Sequence, residues 1–143
     1  MTRVDFYIST TDKPDNDLVT ACRLADKAYK LGHRLYIHTD DQQQAERVDD
    51  LLWTFRDGSF IPHCMDKDED AEDHPVVIGH DDNPSEIRDV LINLSGNVPS
   101  FFSRFERVAE VVNGKAELRE ASRERFRFYK ERGYELNTHE IKD

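Results

Sequence analysis

Residues 115–132 combine basic side chains with one aromatic side chain in a pattern that suits an acidic ligand. This stretch carries seven basic and four acidic residues, a net charge of +3, in a chain whose net charge is -10. At about 100° per residue along a helix, five of these cations fall on one arc together with Phe126. The five are Lys115, Arg119, Arg123, Arg127 and Lys130. Arginine can bind carboxylates through two hydrogen bonds and phenylalanine can cover an apolar group, so the pattern predicts a site for an acidic peptide.

An ordinary exposed helix is the simpler interpretation of the same stretch. Its glutamates could pair with cations one turn away, and each pair would contribute only about 0.2–0.5 kcal/mol. The glutamates fall on a separate arc, however, whereas stabilising pairs need opposite charges side by side. This segregation favours ligand binding. The remaining arc is predicted to face the core and contains the side-chain stems of two further arginines, its members being Leu118, Ala121, Ser122, Arg125, Phe128, Tyr129 and Arg132.

The acidic stretch 66–73 has the spacing of a calcium-binding loop at its start only. Asp66, Asp68 and Asp70 match the first ligands of such a loop. Ala71 stands where the sharp turn requires glycine, and Val77 stands where the bidentate glutamate belongs. A solvated acidic loop is therefore the prediction for this stretch.

The histidines and cysteines show no spacing that is typical of a metal site or a catalytic pair. Cys22 belongs to an apolar helical face, and His63 and Cys64 are neighbours in an extended segment, where adjacent side chains point to opposite sides. Two cysteines are too few for a disulfide framework. No metal and no cofactor are expected. The histidines without zinc-like spacing are His38, His74, His80 and His139.

Strands and helices alternate along the chain. Apolar runs predict strands at 4–8, 34–38, 76–79 and 90–94, and the last of these reads as a central strand covered on both faces. Helical spacing predicts a helix from Asp17 to a turn at Gly32, a second one over 45–52 and a third over 115–132. Aspartates at 15–17 and 39–41 supply N-cap oxygens. Residues 105–112 fit either a strand or a helix, and a turn is expected at 81–84.

This alternation predicts a single α/β domain over residues 1–143, with a mainly parallel central sheet flanked by helices in a Rossmann-like topology. A nucleotide site is not expected, because no glycine-rich loop follows the first strand and residues 9–15 include aspartates that would repel phosphate. The alternative is a small nucleotide-binding or hydrolytic domain that uses His38, Asp40 and His63 in the crevice beyond the carboxyl ends of the strands.

Composition narrows the classes of partner. Hydrophobic residues make up 37% of the chain, and none of its apolar runs approaches the roughly 18 residues of a membrane span. The first residues lack the apolar segment of a secretory signal, so a cytoplasmic location without membrane contact is expected. The net charge of -10 disfavours direct binding to nucleic acid, whose phosphates are also negative.

Residues 121–138 resemble the C-terminal run of the chi subunit of bacterial DNA polymerase III holoenzyme. The likeness covers nearly the whole chain and continues, in the same order, through Phe6-Tyr7 and residues 51–53, 59–63 and 88–94. It implies a non-catalytic accessory subunit of the clamp loader. Such a subunit pairs with the psi subunit and binds the C-terminal tail of single-stranded DNA-binding protein, which ends in aspartates, Ile-Pro-Phe and a free carboxylate.

Two sets of site residues follow from the resemblance. Where family members often carry lysine or tyrosine, this chain has Arg119, Arg127 and Phe126, which keeps the charges but removes a phenolic hydroxyl. The tail site is implied at Arg119, Arg123, Phe126, Arg127, Lys130, Gly133 and Thr138.

The psi site is implied at Trp53, Phe60 and Pro62, and a related helicase is implied to compete for it in some bacteria. Burial of Trp53 and Phe60 as core residues at a helix end is an equal alternative from the sequence alone.

Overall fold

A parallel sheet forms the centre of the computed structural model, which describes residues 1–82, 84 and 89–142. Its described strands are β1 (Arg3–Ser9), β2 (Leu35–His38), β3 (His63–Met65), β4 (Val76–Gly79), β5 (Val90–Asn93), β6 (Arg107–Val112) and β7 (Glu135–Ile141). All neighbouring pairs are parallel, in the order β3-β4-β2-β5-β6-β1-β7. The predicted α/β fold with a parallel sheet is confirmed, and β5 is its central strand.

Helices cover both faces of this sheet. On one face, α1 (Asn16–Lys30) and α2 (Gln42–Thr54) bury an apolar cluster that includes Cys22, Val48 and Ile37. On the other face, α3 (Arg119–Glu131) and the 3-10 turn Phe102–Arg104 bury an aromatic cluster around Phe6 and Tyr129. None of the described helices is long and apolar enough to cross a membrane.

The structure agrees with two of the predicted helix ends and differs from the prediction at a third. The Asp41 side chain accepts a hydrogen bond from the Gln44 backbone N–H over 2.8 Å and so caps α2 as predicted. Asp15 precedes α1 but makes no capping bond through its side chain, because that carboxylate pairs with Arg47 of α2 instead. Gly32 follows α1 at φ 87°, in the left-handed region that favours glycine, and so forms the turn predicted there.

Four parts of the sequence interpretation need correction or completion. Residues 105–112, left open as strand or helix, contain β6, and the edge strands β3 and β7 were not predicted at all. The predicted helix at 115–132 is a 3-10 turn at Ala116–Leu118 followed by α3 from Arg119. The predicted turn at 81–84 and the family motif at 88–94 include Asn83 and Arg88, which lie outside the described residues.

Candidate protein-binding surfaces

A buried polar network holds α3 against the sheet. Glu110 of β6 is completely buried and accepts hydrogen bonds from Arg125 Nε over 3.1 Å and from the Tyr129 hydroxyl over 2.7 Å. Asn93 of β5 donates to the same carboxylate over 2.9 Å. Burial raises the pKa of Glu110, while the Arg125 charge and the hydrogen bonds that Glu110 accepts oppose that rise. The ion pair therefore fixes the rotation of α3 about its own axis.

With Arg125 turned inward, the predicted basic arc of α3 faces solvent. Four cations of this arc are exposed. None of the four forms a salt bridge with a carboxylate of the described residues. They are Arg119, Arg123, Arg127 and Lys130. Their positive charge is thus available to a ligand rather than neutralised within the protein.

A cleft of about 350 Å³ adjoins the first turn of α3. Arg119, Ser122 and Arg123 line its helical side, while Ser9 of β1 and Glu140 of β7 line the strand side. The buried Ser9 hydroxyl has no hydrogen-bond partner in the described part of the chain. The cleft therefore combines two guanidinium groups with the hydroxyl side chains of Ser9, Thr10 and Ser122 and with the carboxylate of Glu140.

Phe126 lies beside the cations of α3 and packs partly against the sheet. It is half-buried, and its ring packs edge-on against Phe6 of β1 with 5.4 Å between the ring centroids. Thr138 of β7 is the register partner of Phe6, so the exposed Thr138 and the Phe126 ring both adjoin Phe6. Gly133 lies two residues after the end of α3 and has a backbone φ of 79°. Phe126 shares the arc of the cations as predicted by helical spacing, and Phe6 covers part of its ring.

Two further basic residues of the predicted arcs differ from their expected roles. Lys115 precedes the 3-10 turn at Ala116–Leu118, so its angular position on an α-helix does not apply. Arg132 lies over the Phe128 ring at 3.5 Å from the centroid and donates to the Phe128 carbonyl over 3.1 Å. Neither belongs to the exposed arc of α3.

A second surface lies at the end of α2 and is apolar. Trp53 is 54% exposed and Phe60 is 65% exposed, and their ring centroids are 5.7 Å apart. Pro62 is partly exposed beside them. The interpretation of Trp53 and Phe60 as core residues is therefore wrong. We call Trp53, Phe60 and Pro62 the aromatic patch.

His63 at the start of β3 supports the aromatic patch from below. Its ring lies 4.6 Å from the Trp53 ring, and its Nδ1 is 2.6 Å from the Ile61 carbonyl oxygen. Its Nε2 lies 3.1 Å from a carboxylate oxygen of Asp49 on α2. The Nδ1 contact with the Ile61 carbonyl holds the imidazole in place, and its ring packs beneath Trp53 at the surface.

Comparison with known proteins decides the family of this chain. Residues 1–137 match the family model described as DNA polymerase III chi subunit, HolC. The chain belongs to the DNA polymerase III chi subunit family. It is 45% identical over 141 residues to DNA polymerase III subunit chi of Pseudomonas aeruginosa. The aligned region covers 99% of this chain and 98% of that protein. The subunit chi of Escherichia coli is 30% identical over 143 residues, covering 96% and 97%.

The chi family is an accessory, non-catalytic part of DNA polymerase III, and the geometry of the crevice agrees with this role. His63 begins β3 and is in register with Val76, which pairs with Leu35 at the start of β2. His38 ends β2, about 10 Å further along the strand direction. His38 is also buried, and this burial lowers its pKa. The residues proposed for an alternative hydrolytic site are therefore not brought together.

His63 and Cys64 also fail to form a pair in this chi-family chain. The His63 ring contacts Trp53 on the α2 side of the sheet, whereas Cys64 joins the cluster on the α3 side with Tyr36 and Val77. The prediction that the two side chains point to opposite sides is confirmed.

Proposed function

We propose that this chain is a bridging subunit, which binds the acidic C-terminal tail of single-stranded DNA-binding protein on α3 and the psi subunit on the aromatic patch. The observation that carries the proposal is the exposed arc of Arg119, Arg123, Arg127 and Lys130, which pairs with no carboxylate of the described residues, in a protein of net charge -10. An acidic protein that exposes unneutralised cations beside a cleft is suited to an anionic partner.

The tail has the two chemical features that this surface can recognise. Its aspartates and terminal carboxylate match the guanidinium groups of Arg119 and Arg123 in the cleft. Its last aromatic ring matches the half-exposed Phe126, which adjoins Thr138 through Phe6. Charge would provide the attraction and the ring contact would provide the orientation.

The psi subunit is proposed to cover the aromatic patch. Two large side chains, Trp53 and Phe60, lie exposed and in contact with each other. Aromatic anchors of this kind commonly contribute most of the binding energy at protein interfaces. A helicase that competes with psi would use the same patch. Both interactions place the protein at the replication fork, in the bacterial cytoplasm.

A labelled peptide that ends in Asp-Asp-Ile-Pro-Phe tests the tail site by fluorescence anisotropy. We expect Arg123→Ala to weaken binding about tenfold, because it removes one charge-assisted contact to a carboxylate. The same peptide with an amidated C-terminus should also bind more weakly.

Arg23→Ala is the matched control for Arg123→Ala. Arg23 is an exposed arginine on α1, on the opposite face of the sheet, and its loss removes the same charge from the molecule. The proposal fails if the two variants bind the peptide equally well, since the loss would then reflect net charge alone.

A further inference from the structure

Three side chains with metal-binding atoms meet outside both proposed binding surfaces. The Cys64 Sγ, an Asp70 carboxylate oxygen and a His74 ring nitrogen all lie within 4.8 Å of one another. Cys64 belongs to β3, Asp70 to the acidic loop, and His74 follows the 3-10 turn Ala71–Asp73. We propose that Cys64, Asp70 and His74 form a binding site for a divalent transition metal ion, with zinc as the best match.

The types of donor select zinc over the harder cations. Zinc accepts thiolate, imidazole and carboxylate ligands together, whereas calcium and magnesium require several oxygen ligands. Three protein ligands leave the fourth tetrahedral position to water, so this would be an open site. The site differs from the calcium loop that the acidic spacing suggested, because a thiol and an imidazole replace most of the oxygen ligands.

The geometry needs only a small closure to hold the ion. Metal–ligand distances of about 2.0–2.3 Å place neighbouring ligand atoms roughly 3–4 Å apart. The three ligand atoms here lie within 4.8 Å of one another, which is somewhat wider. Cys64 is buried and forms no disulfide, so it is the fixed point of the site. Asp70 is exposed, with 62% of its side chain accessible, and can move toward the thiol.

The Nδ1 of His74 faces Asp70, 3.9 Å from a carboxylate oxygen of that residue, so Nε2 would be the ligand atom if Nδ1 donates to the Asp70 backbone. The same Nδ1 lies 3.0 Å from the Asp70 backbone oxygen. Histidines that bind metals commonly donate their second ring N–H to a backbone carbonyl or a carboxylate, which fixes the ring. Asp70 would thus contribute a ligand through its side chain and orient His74 through its backbone.

The surrounding charge favours a divalent cation. Residues 66–73 contain six acidic residues and one lysine. A bound dication would reduce the repulsion among these carboxylates and connect the loop to β3. The acidic residues attract any cation, and the thiolate and imidazole of Cys64 and His74 would give the selectivity.

Cobalt(II) is the probe for this site, since cobalt replaces zinc and absorbs light when a thiolate is bound. We expect chelator-treated protein to take up one equivalent of cobalt with thiolate-to-cobalt charge-transfer absorption, and zinc to displace it. Cys64→Ser should remove this absorption. Cys22→Ser is the matched control, because Cys22 is the other buried thiol and lies in the core of α1.

His74→Ala and Asp70→Asn provide a second test at positions that are less buried than Cys64. Each should weaken zinc binding about tenfold or more in competition with a chromophoric chelator, while Asp73→Asn in the same loop should not. Circular dichroism checks the fold of every variant. Cobalt binding without thiolate absorption, unchanged zinc affinity in His74→Ala, or no uptake at equimolar metal would each overturn the proposal.

Discussion

The basic arc of α3 and the aromatic patch occupy opposite edges of one sheet and expose different chemistry. Near the β7 edge, four cations pair with no carboxylate of the described residues, and two of them, Arg119 and Arg123, line a cleft that contains polar groups. At the β3 edge, Trp53 and Phe60 expose more than half of their surface. The first surface would attract a partner through charge, whereas the second would gain free energy mainly by removing apolar area from water. Because the sheet separates them, the two proposed partners would not compete for one surface.

The supports of the two surfaces also differ. Below the basic arc, the buried Glu110–Arg125 pair determines which side of α3 faces out. Below the aromatic patch, the His63 ring and the end of α2 position Trp53 by contact. The orientation of the charged surface thus depends on a buried charge, and that of the apolar surface depends on packing.

The largest effect in this comparison is expected for Arg125→Met. Removing the guanidinium leaves the Glu110 carboxylate buried without its counter-ion, which should lower the free energy of unfolding by about 3–5 kcal/mol. Urea denaturation followed by circular dichroism measures the loss. Arg123→Met, two positions earlier on the exposed arc, should change stability by less than about 0.5 kcal/mol. Equal losses would show that the buried pair does not hold α3.

The next effect is expected for Phe60→Ala in the aromatic patch. Loss of this exposed ring should weaken psi binding by about 2 kcal/mol, roughly 30-fold, and leave binding of the tail peptide nearly unchanged. Calorimetric titration with psi measures the first effect and peptide anisotropy the second. Leu31→Ala is the control, because Leu31 is 69% exposed but lies at the end of α1. If both partners were lost together, the two surfaces would not be independent.

The smallest effect separates the two surfaces by their response to salt. Raising sodium chloride from about 0.05 to about 0.5 M shortens the range of electrostatic attraction severalfold. We expect the tail peptide to bind several times more weakly at the higher salt concentration, while psi binding changes little. Parallel titrations at both concentrations test this. A psi interaction that weakened as steeply as the peptide interaction would place charges, rather than the aromatic patch, at the psi interface.

Local pattern was sufficient for much of the fold and for the exposed cations. Alternating strands and helices follow from periods of two and 3.6 residues, which neighbouring residues establish without reference to the rest of the chain. β3 was missed because three residues are too few to show an alternation, and β7 was missed because it is polar and buries little apolar surface. Glu135–Ile141 has no fully buried residue, so it carries only a weak strand signal.

The residues of the proposed sites were predictable in type but not in environment. The basic arc of Arg119, Arg123, Arg127 and Lys130 was visible because charges segregate within one helix. The burial of half of Phe126 was not visible, since it depends on Phe6 in a distant strand. Exposure of Trp53 likewise could not be decided locally, because an aromatic residue at a helix end suits a core or an interface equally well.

By itself the sequence determined the parallel α/β class and the helix that carries the charge, since both depend on short-range periodicity and composition. Only the tertiary structure decided that Arg125 turns inward to Glu110 while Arg123 turns outward, because Glu110 lies on a different element and is buried by the whole sheet. It alone also brought Cys64, Asp70 and His74 together. Such contacts depend on how separate elements pack, and spacing along the chain does not contain that information.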